Sequence, residues 1–185
     1  MGNIYVFRGK AATGKTTLAD MLARRLFIPV IRKDDVVDAL KTTPGIDKSL
    51  INNTVCYNIL HKIIQTNLNI GADLILDIAL GDRNNAKGFL NRLDFKDNKI
   101  IGFFVICSDE AEWRRRHEER LINPSPNQSF KSFEHVVDHY KNADVNPFEG
   151  EHVIDTADTL EKSFENVIMI INRYNNPTSG QLVPK

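Results

Sequence analysis

The sequence predicts an α/β domain on a mostly parallel sheet, and three observations carry that reading. Short apolar runs alternate with amphipathic stretches along the chain. Two of those runs, LILDIA and IIGFFVI, are apolar at odd and even positions alike, as central strands covered on both faces are. The opening run, NIYVFR, passes through a loop of small residues into a helical pattern.

Taken in order, strands are expected at 3–8 (NIYVFR), 29–32 (PVIR), 73–79 (DLILDIA), 99–106 (KIIGFFVI) and 152–155 (HVID). Helical periodicity falls near 15–26, 34–41, 49–69, 83–94, 109–121, 132–142 and 159–173. Ser108, Asp109 and Glu110 open the fifth of these helices with capping and acidic first-turn residues. NPSPNQSF, at 123–130, is the clear internal loop, rich in Pro, Asn and Ser. The stretch NNPTSGQLVPK, at the end, has lost all periodicity. The expected organisation is one domain over 1–175 with a small lid at about 112–130, and a disordered tail over 176–185.

At 185 residues the chain is long enough to bury a substantial core, and 42% hydrophobic with 26% charged residues is ordinary for a soluble domain. Lys plus Arg (24) equals Asp plus Glu (24), so no global field draws in nucleic acid or anionic membrane. Cys56 and Cys107 lack metal-type spacing and read as small buried hydrophobes. No segment reaches the roughly 18 apolar residues of a membrane span, and Arg8 interrupts any signal-peptide core. A cytoplasmic location is the default expectation.

The stretch GKAATGKT fits G-x-x-x-x-G-K-[ST], from Gly9 through Lys10, Ala11, Ala12, Thr13 and Gly14 to Lys15 and Thr16, with Thr17 next. Phosphate oxygens need several donors within a small radius. Glycines let the backbone turn its N–H groups inward, and the following helix adds its positive end. Lys15 can reach the β- and γ-phosphates, and the Thr16 hydroxyl can ligate magnesium. A strand precedes the motif and a helix follows, which is the context it requires.

What happens to the phosphate is read from other segments. There is no N-K-x-D guanine signature, and Ile78 rather than Glu follows Asp77, so transfer to an acceptor other than water is favoured. Asp77 should emerge at a strand's carboxyl end and hold magnesium. In VIRKDDVVDAL, one of Asp34 and Asp35 is expected to cap a helix. The other, preferred as Asp34, is expected to orient or deprotonate an acceptor hydroxyl. In SDEAEWRRRHEERL, Arg114 and Arg115 have Glu118 and Glu119 as partners four residues on. Arg116 and Arg120 share a face, where like charges repel unless an anion bridges them, and could close over a transferring phosphoryl group. Tyr57 and His61 could line a pocket, though a packed helix with a satisfied His is the plainer reading. His117 reads as lid surface.

GKAATGKTTLADMLARRL, RKDDVVDAL, LILDIALGDR and WRRRHEER resemble, in that order, the signature segments of small P-loop kinases. That group includes the kinase domain of polynucleotide kinase, chloramphenicol phosphotransferase, gluconate kinase and zeta-toxin-like kinases. The resemblance covers about residues 3 to 156. It implies the P-loop NTPase fold with five parallel strands in order 2-3-1-4-5, helices on both faces, a mobile lid, and ATP with magnesium. It also implies Asp34 as the acceptor-activating aspartate, Arg116 and Arg120 as lid arginines on the donor phosphates, and Arg83 as a basic residue near the acceptor. Asp155 and Thr156 would border the adenine. Val37 departs from the group's D-D-x-R segment, where the arginine meets an anionic acceptor in polynucleotide-kinase-like members.

The leading expectation is therefore an ATP-dependent phosphotransferase acting on a hydroxyl of a small molecule, as a monomer or homodimer. A polynucleotide 5′-hydroxyl kinase is the rival enzyme, disfavoured by Val37 and the neutral charge. A non-catalytic nucleotide-binding regulator is the rival outside enzymes, and it would have no need of Asp34 or the arginine pair.

Overall fold

β1 (Asn3–Arg8) is apolar on both faces because it runs through the middle of the molecule. Its alternating side chains divide the core in two. Ile4 and Val6 join Leu60, Ile64 and Leu76 on one side of the sheet; Tyr5 and Phe7 join Leu18, Leu22 and Val167 on the other. The computed structural model describes residues 1–175. The expected tail, 176–185, lies outside them.

After β1 come α1 (Lys15–Leu26), β2 (Val30–Arg32), α2 (Lys33–Thr42) and a single 3₁₀ turn at Lys48–Leu50. α3 (Asn53–Asn69), β3 (Leu74–Asp77), α4 (Arg83–Leu90) and β4 (Lys99–Ile106) follow. α5 (Glu110–Ile122), α6 (Phe133–Tyr140), β5 (His152–Asp155) and α7 (Leu160–Asn175) complete the described residues. The five strands form one sheet in the order β2-β3-β1-β4-β5, parallel throughout, as the resemblance implies. In a sheet of this kind the carboxyl ends of the strands face one crevice, where ligands bind. Here the order reverses at β1, between β3 and β4.

Several boundaries differ from expectation for local reasons. β3 stops at Asp77, and a bond from the Leu80 N–H to the Ile78 carbonyl (2.7 Å) turns the chain away. The long helix expected at 49–69 begins at Asn53, because the Asn52 side chain caps it by accepting from the Val55 N–H. α4 ends early, as Arg92 and Leu93 tighten into bonds to Phe89 and Leu90, three residues back. Cys56 is buried as expected, but Cys107 is only half-buried and its thiol donates to the Asp109 carbonyl. No helix among the described residues is long and apolar enough to cross a membrane.

Candidate active site

The loop between β1 and α1 is shaped by two glycines. Gly9 has φ 146°, and a Cβ there would lie 2.1 Å from the Val105 carbonyl oxygen. Gly14, at φ 94°, is the N-cap of α1, and no side chain caps the helix. The N–H groups that begin α1 are thus left to an anion.

Three of the loop's carbonyls, by contrast, are taken. The Trp113 indole donates to Ala11 (2.7 Å), the Thr13 hydroxyl to Lys10 (3.0 Å), and the Thr156 hydroxyl lies 2.8 Å from the Thr13 carbonyl. The Ala11 N–H donates to the Tyr140 hydroxyl at 3.2 Å. Ala12 is buried in a small cluster with Trp113, Phe133 and Val136. α5 and α6 therefore brace the loop from outside.

Lys15 is 6% exposed, and its ammonium donates to the Lys10 carbonyl at 2.5 Å. Burial pulls its pKa down to about 8; Arg120 pushes the same way, while Asp77 and Asp34 oppose the shift. Beside it opens a cavity of about 810 Å³, lined among others by Lys15, Thr16, Asp34, Asp77 and Arg120. Those five residues come from the start of α1, the start of α2, the end of β3 and the last turns of α5, while α3, α4 and α6 supply more of the wall.

Asp34 and Asp35 both fall in the first turn of α2, yet neither caps it; the N-cap is Arg32, without a side-chain bond. This corrects the expectation that one of the pair serves as a cap. Asp34 lines the cavity. Its pKa is raised, first by burial and then by Asp77, against the pull of Lys33, Lys15 and Arg120. Asp35 is exposed and sits 3.9 Å from Arg32. Asp77, 7% exposed, lies 3.5 Å from the Arg32 Nε, and Arg32 also pairs with Asp20. Arg32 is not among the residues expected from the sequence, although its place at a strand end before two aspartates is a readable signal.

The two arginines expected to act together are parted. Arg120 lines the cavity, and Arg116 does not. The Arg116 guanidinium donates to Glu112 (2.7 Å), the Thr156 hydroxyl (2.7 Å) and the Thr156 carbonyl (2.6 Å). It locks α5 to the loop after β5, and through Thr156 to the phosphate loop. Asp155 accepts from the Ser108 and Ala157 N–H groups, both at 3.0 Å. Arg114 donates to Glu134 at 2.5 Å rather than closely to Glu118, and Arg115 pairs with Glu112 and Glu119.

Arg83 is also turned away from the cavity: it lies 3.9 Å from Asp144 and 5.4 Å from the Phe148 ring centroid. Tyr57 lines the cavity, and burial, reinforced by Asp34, pushes its phenol up to about 12. His61 is satisfied by the Arg92 carbonyl at 2.7 Å. His117 is not surface: it is 1% exposed beneath Phe133, with neither ring nitrogen hydrogen-bonded. Burial, then Arg120, lowers its pKa.

Three comparisons with known proteins bear on this arrangement. A family model described as an AAA domain matches residues 4–143. No curated protein matches the chain by sequence. Solved structures that match include a putative kinase from Chloroflexus aurantiacus, at 18% identity and a TM-score of 0.73, covering 93% of this chain and 97% of that one. A sugar kinase from Janibacter aligns at 13% identity and a TM-score of 0.61, over 93% and 95% of the two chains. A gluconokinase from Sinorhizobium meliloti aligns at 13% identity and a TM-score of 0.56, over 95% and 98%. The fold is that of these P-loop kinases.

Proposed function

The chain belongs to the AAA domain family whose model it matches over residues 4–143, and from that premise we propose that it transfers the γ-phosphoryl group of ATP to a hydroxyl of a small-molecule acceptor. The observation that carries this reading is the convergence of Lys15, Thr16, Asp34, Asp77 and Arg120 on one cavity beside an uncapped helix N-terminus.

The phosphate loop, Gly9 to Thr17, holds the triphosphate on its N–H groups, and Lys15 grips the β- and γ-phosphates. The Thr16 hydroxyl and the Asp77 carboxylate are hard oxygen donors on the same cavity, the donor type magnesium takes. They are the residues that would hold the ion, which when bound offsets phosphate charge.

Asp34 accepts the proton of the acceptor hydroxyl, whose oxygen bonds to the γ-phosphorus as the bond to the β-phosphate oxygen breaks and ADP departs. Its raised pKa makes it the better proton acceptor. Arg120 neutralises charge on the moving group. Arg116 acts at one remove, holding Thr156 against the loop; Asp155 and Thr156 border the base. Residues of about 112–130 form the lid, and in the structure their loop already touches α2, where Lys41 donates to the Pro126 carbonyl at 3.0 Å. Arg83, on Asp144, has no part in the pocket as it stands.

The test is an ATP-consumption screen against pooled sugars, sugar acids, nucleosides, antibiotics and 5′-hydroxyl oligonucleotides, with and without magnesium. Magnesium-dependent ADP formation stimulated by one small-molecule pool is expected, and Lys15→Ala should lose it. Turnover indifferent to every acceptor, or stimulated by oligonucleotides alone, would contradict the reading.

A further inference from the structure

Several cations without carboxylate partners gather around the cavity. Arg8, Arg32, Arg83, Arg114, Arg115 and Arg116 all pair with carboxylates. The cavity is lined by five cations, Lys15, Lys33, Lys41, Arg92 and Arg120, and none has a carboxylate partner among the described residues. Its three acids are Asp34, Asp77 and Asp82. Asp77 lies against Arg32, and Asp82 is engaged in capping α4 through the Asn84 N–H. In a chain of zero formal charge, this one crevice is lined by five cations against three acids.

Lys15 and Arg120 belong to the phosphate end. Lys33 and Arg92 do not. The Lys33 ammonium sits 5.0 Å from the centre of the Tyr57 ring and donates to the Asn53 side chain at 2.8 Å. Tyr57 packs on Phe89 with ring centres 5.1 Å apart; Arg92, three residues beyond, donates to Asn58 at 2.7 Å and through its backbone N–H to the Phe89 carbonyl. The Lys33 ammonium thus stands over the aromatic wall, the Arg92 guanidinium is tied to the residue next to Tyr57, and each is held by a neutral amide that leaves its charge uncancelled. Lys33 pulls the Asp34 pKa down, and no ion pair joins the two.

The rest of the lining is rich in carboxamides: Asn52, Asn53, Asn84, Asn85, Asn127 and Gln128. An amide both donates and accepts, as a hydroxyl does, so an arc of amides suits a ligand bearing several hydroxyls better than an apolar one. We infer that the acceptor is a small polyhydroxylated acid, its carboxylate or phosphate seated by Lys33 and Arg92 beside Tyr57 and its hydroxyls met by the amide arc. This rests on the cavity being the acceptor site of the proposed transferase.

The test reads binding rather than turnover. Calorimetry on the full chain, without nucleotide, compares matched pairs: an aldonic acid with the alditol of equal length, a hexose monophosphate with the hexose, and a nucleoside 3′-monophosphate with the nucleoside. In at least one pair the acid should bind at least about tenfold tighter than its neutral partner, a difference in the range of charge-assisted hydrogen bonding. Lys33→Met and Arg92→Met should each erase that preference, with unfolding midpoints in the absence of ligand confirming that both variants fold. Neutral members binding as tightly as the acids, no member of any pair binding, or the preference surviving both substitutions would overturn the inference. So would a 5′-hydroxyl oligonucleotide binding more tightly than every small acid. An acid that binds as described but is never phosphorylated would uphold this seat and defeat the transfer reading instead.

Discussion

Arg8 and Lys15 are two buried cations seven residues apart, and the fold treats them in opposite ways. The Arg8 guanidinium, fully buried, donates to both oxygens of Glu151 (2.6 and 2.7 Å) and to the Asn146 carbonyl, and lies between the rings of Phe104 and Phe148. Its charge is spent inside the molecule. Lys15 has one carbonyl and no carboxylate contact, and burial pulls its pKa down to about 8. A buried ammonium held this way is costly unless an anion arrives. The contrast separates charge that holds the fold from charge kept open for a ligand.

The largest effect expected from breaking that contrast is at Lys15. Lys15→Ala should lower phosphoryl transfer by about 10³-fold or more, because the ammonium contacts charge that grows in the transition state. In the unmodified protein, ATP affinity should be fully present below pH 8 and fall as pH rises through the Lys15 pKa of about 8. Only the charged form grips phosphate, so binding near pH 8–9 should take up a proton. Calorimetry in buffers of different ionisation enthalpy measures that uptake, and Lys15→Ala should abolish it.

Arg8 should behave as the opposite kind of residue. Arg8→Ala strands Glu151 in the interior and should cost about 3–5 kcal/mol of stability in urea unfolding. Adding Glu151→Leu should recover part of that loss, since the uncompensated charge is removed. A fully stable Arg8→Ala would mean that the pair contributes nothing to the fold.

The same division runs along α5 on a smaller scale. Arg120→Ala should reduce kcat by about 10²-fold while changing stability by no more than about 0.5 kcal/mol. Arg116→Ala, which frees the Thr156 loop, should lower stability by about 1–2 kcal/mol and weaken ATP binding more than it lowers kcat. Steady-state kinetics paired with unfolding curves distinguish the two, and identical behaviour would erase the distinction.

These assignments also mark where sequence stops being informative. The phosphate loop and α1 are legible to the residue, because Gly9, Gly14, Lys15 and Thr16 carry local conformational and chemical requirements. The five strands are legible because their apolar runs are bounded by turn residues. Strand order is a property of long-range pairing, and family resemblance rather than any one run implies it. Arg116 and Arg120 look equivalent in the chain; only the packing of Thr156 against α5 tells them apart. His117 looks like surface between Arg116 and Glu118, yet it follows buried Trp113 by four residues, and that spacing is the signal for a buried face. Tyr140, which reaches the Ala11 N–H across 129 positions, leaves no trace in the sequence.

The most direct test is at the start of α2, where two adjacent aspartates face different surroundings. Magnesium-ATP affinity by calorimetry and transfer rates are measured for Asp34→Asn and Asp35→Asn, once an acceptor is in hand. Asp34→Asn should keep ATP affinity and lose about 10²-fold or more in transfer, because it removes the carboxylate that takes the hydroxyl proton. Asp35→Asn, losing only an exposed charge near Arg32, should change the rate little. Loss of transfer in Asp35→Asn with retention in Asp34→Asn, or full rates in both, would contradict Asp34 as the group that activates the acceptor.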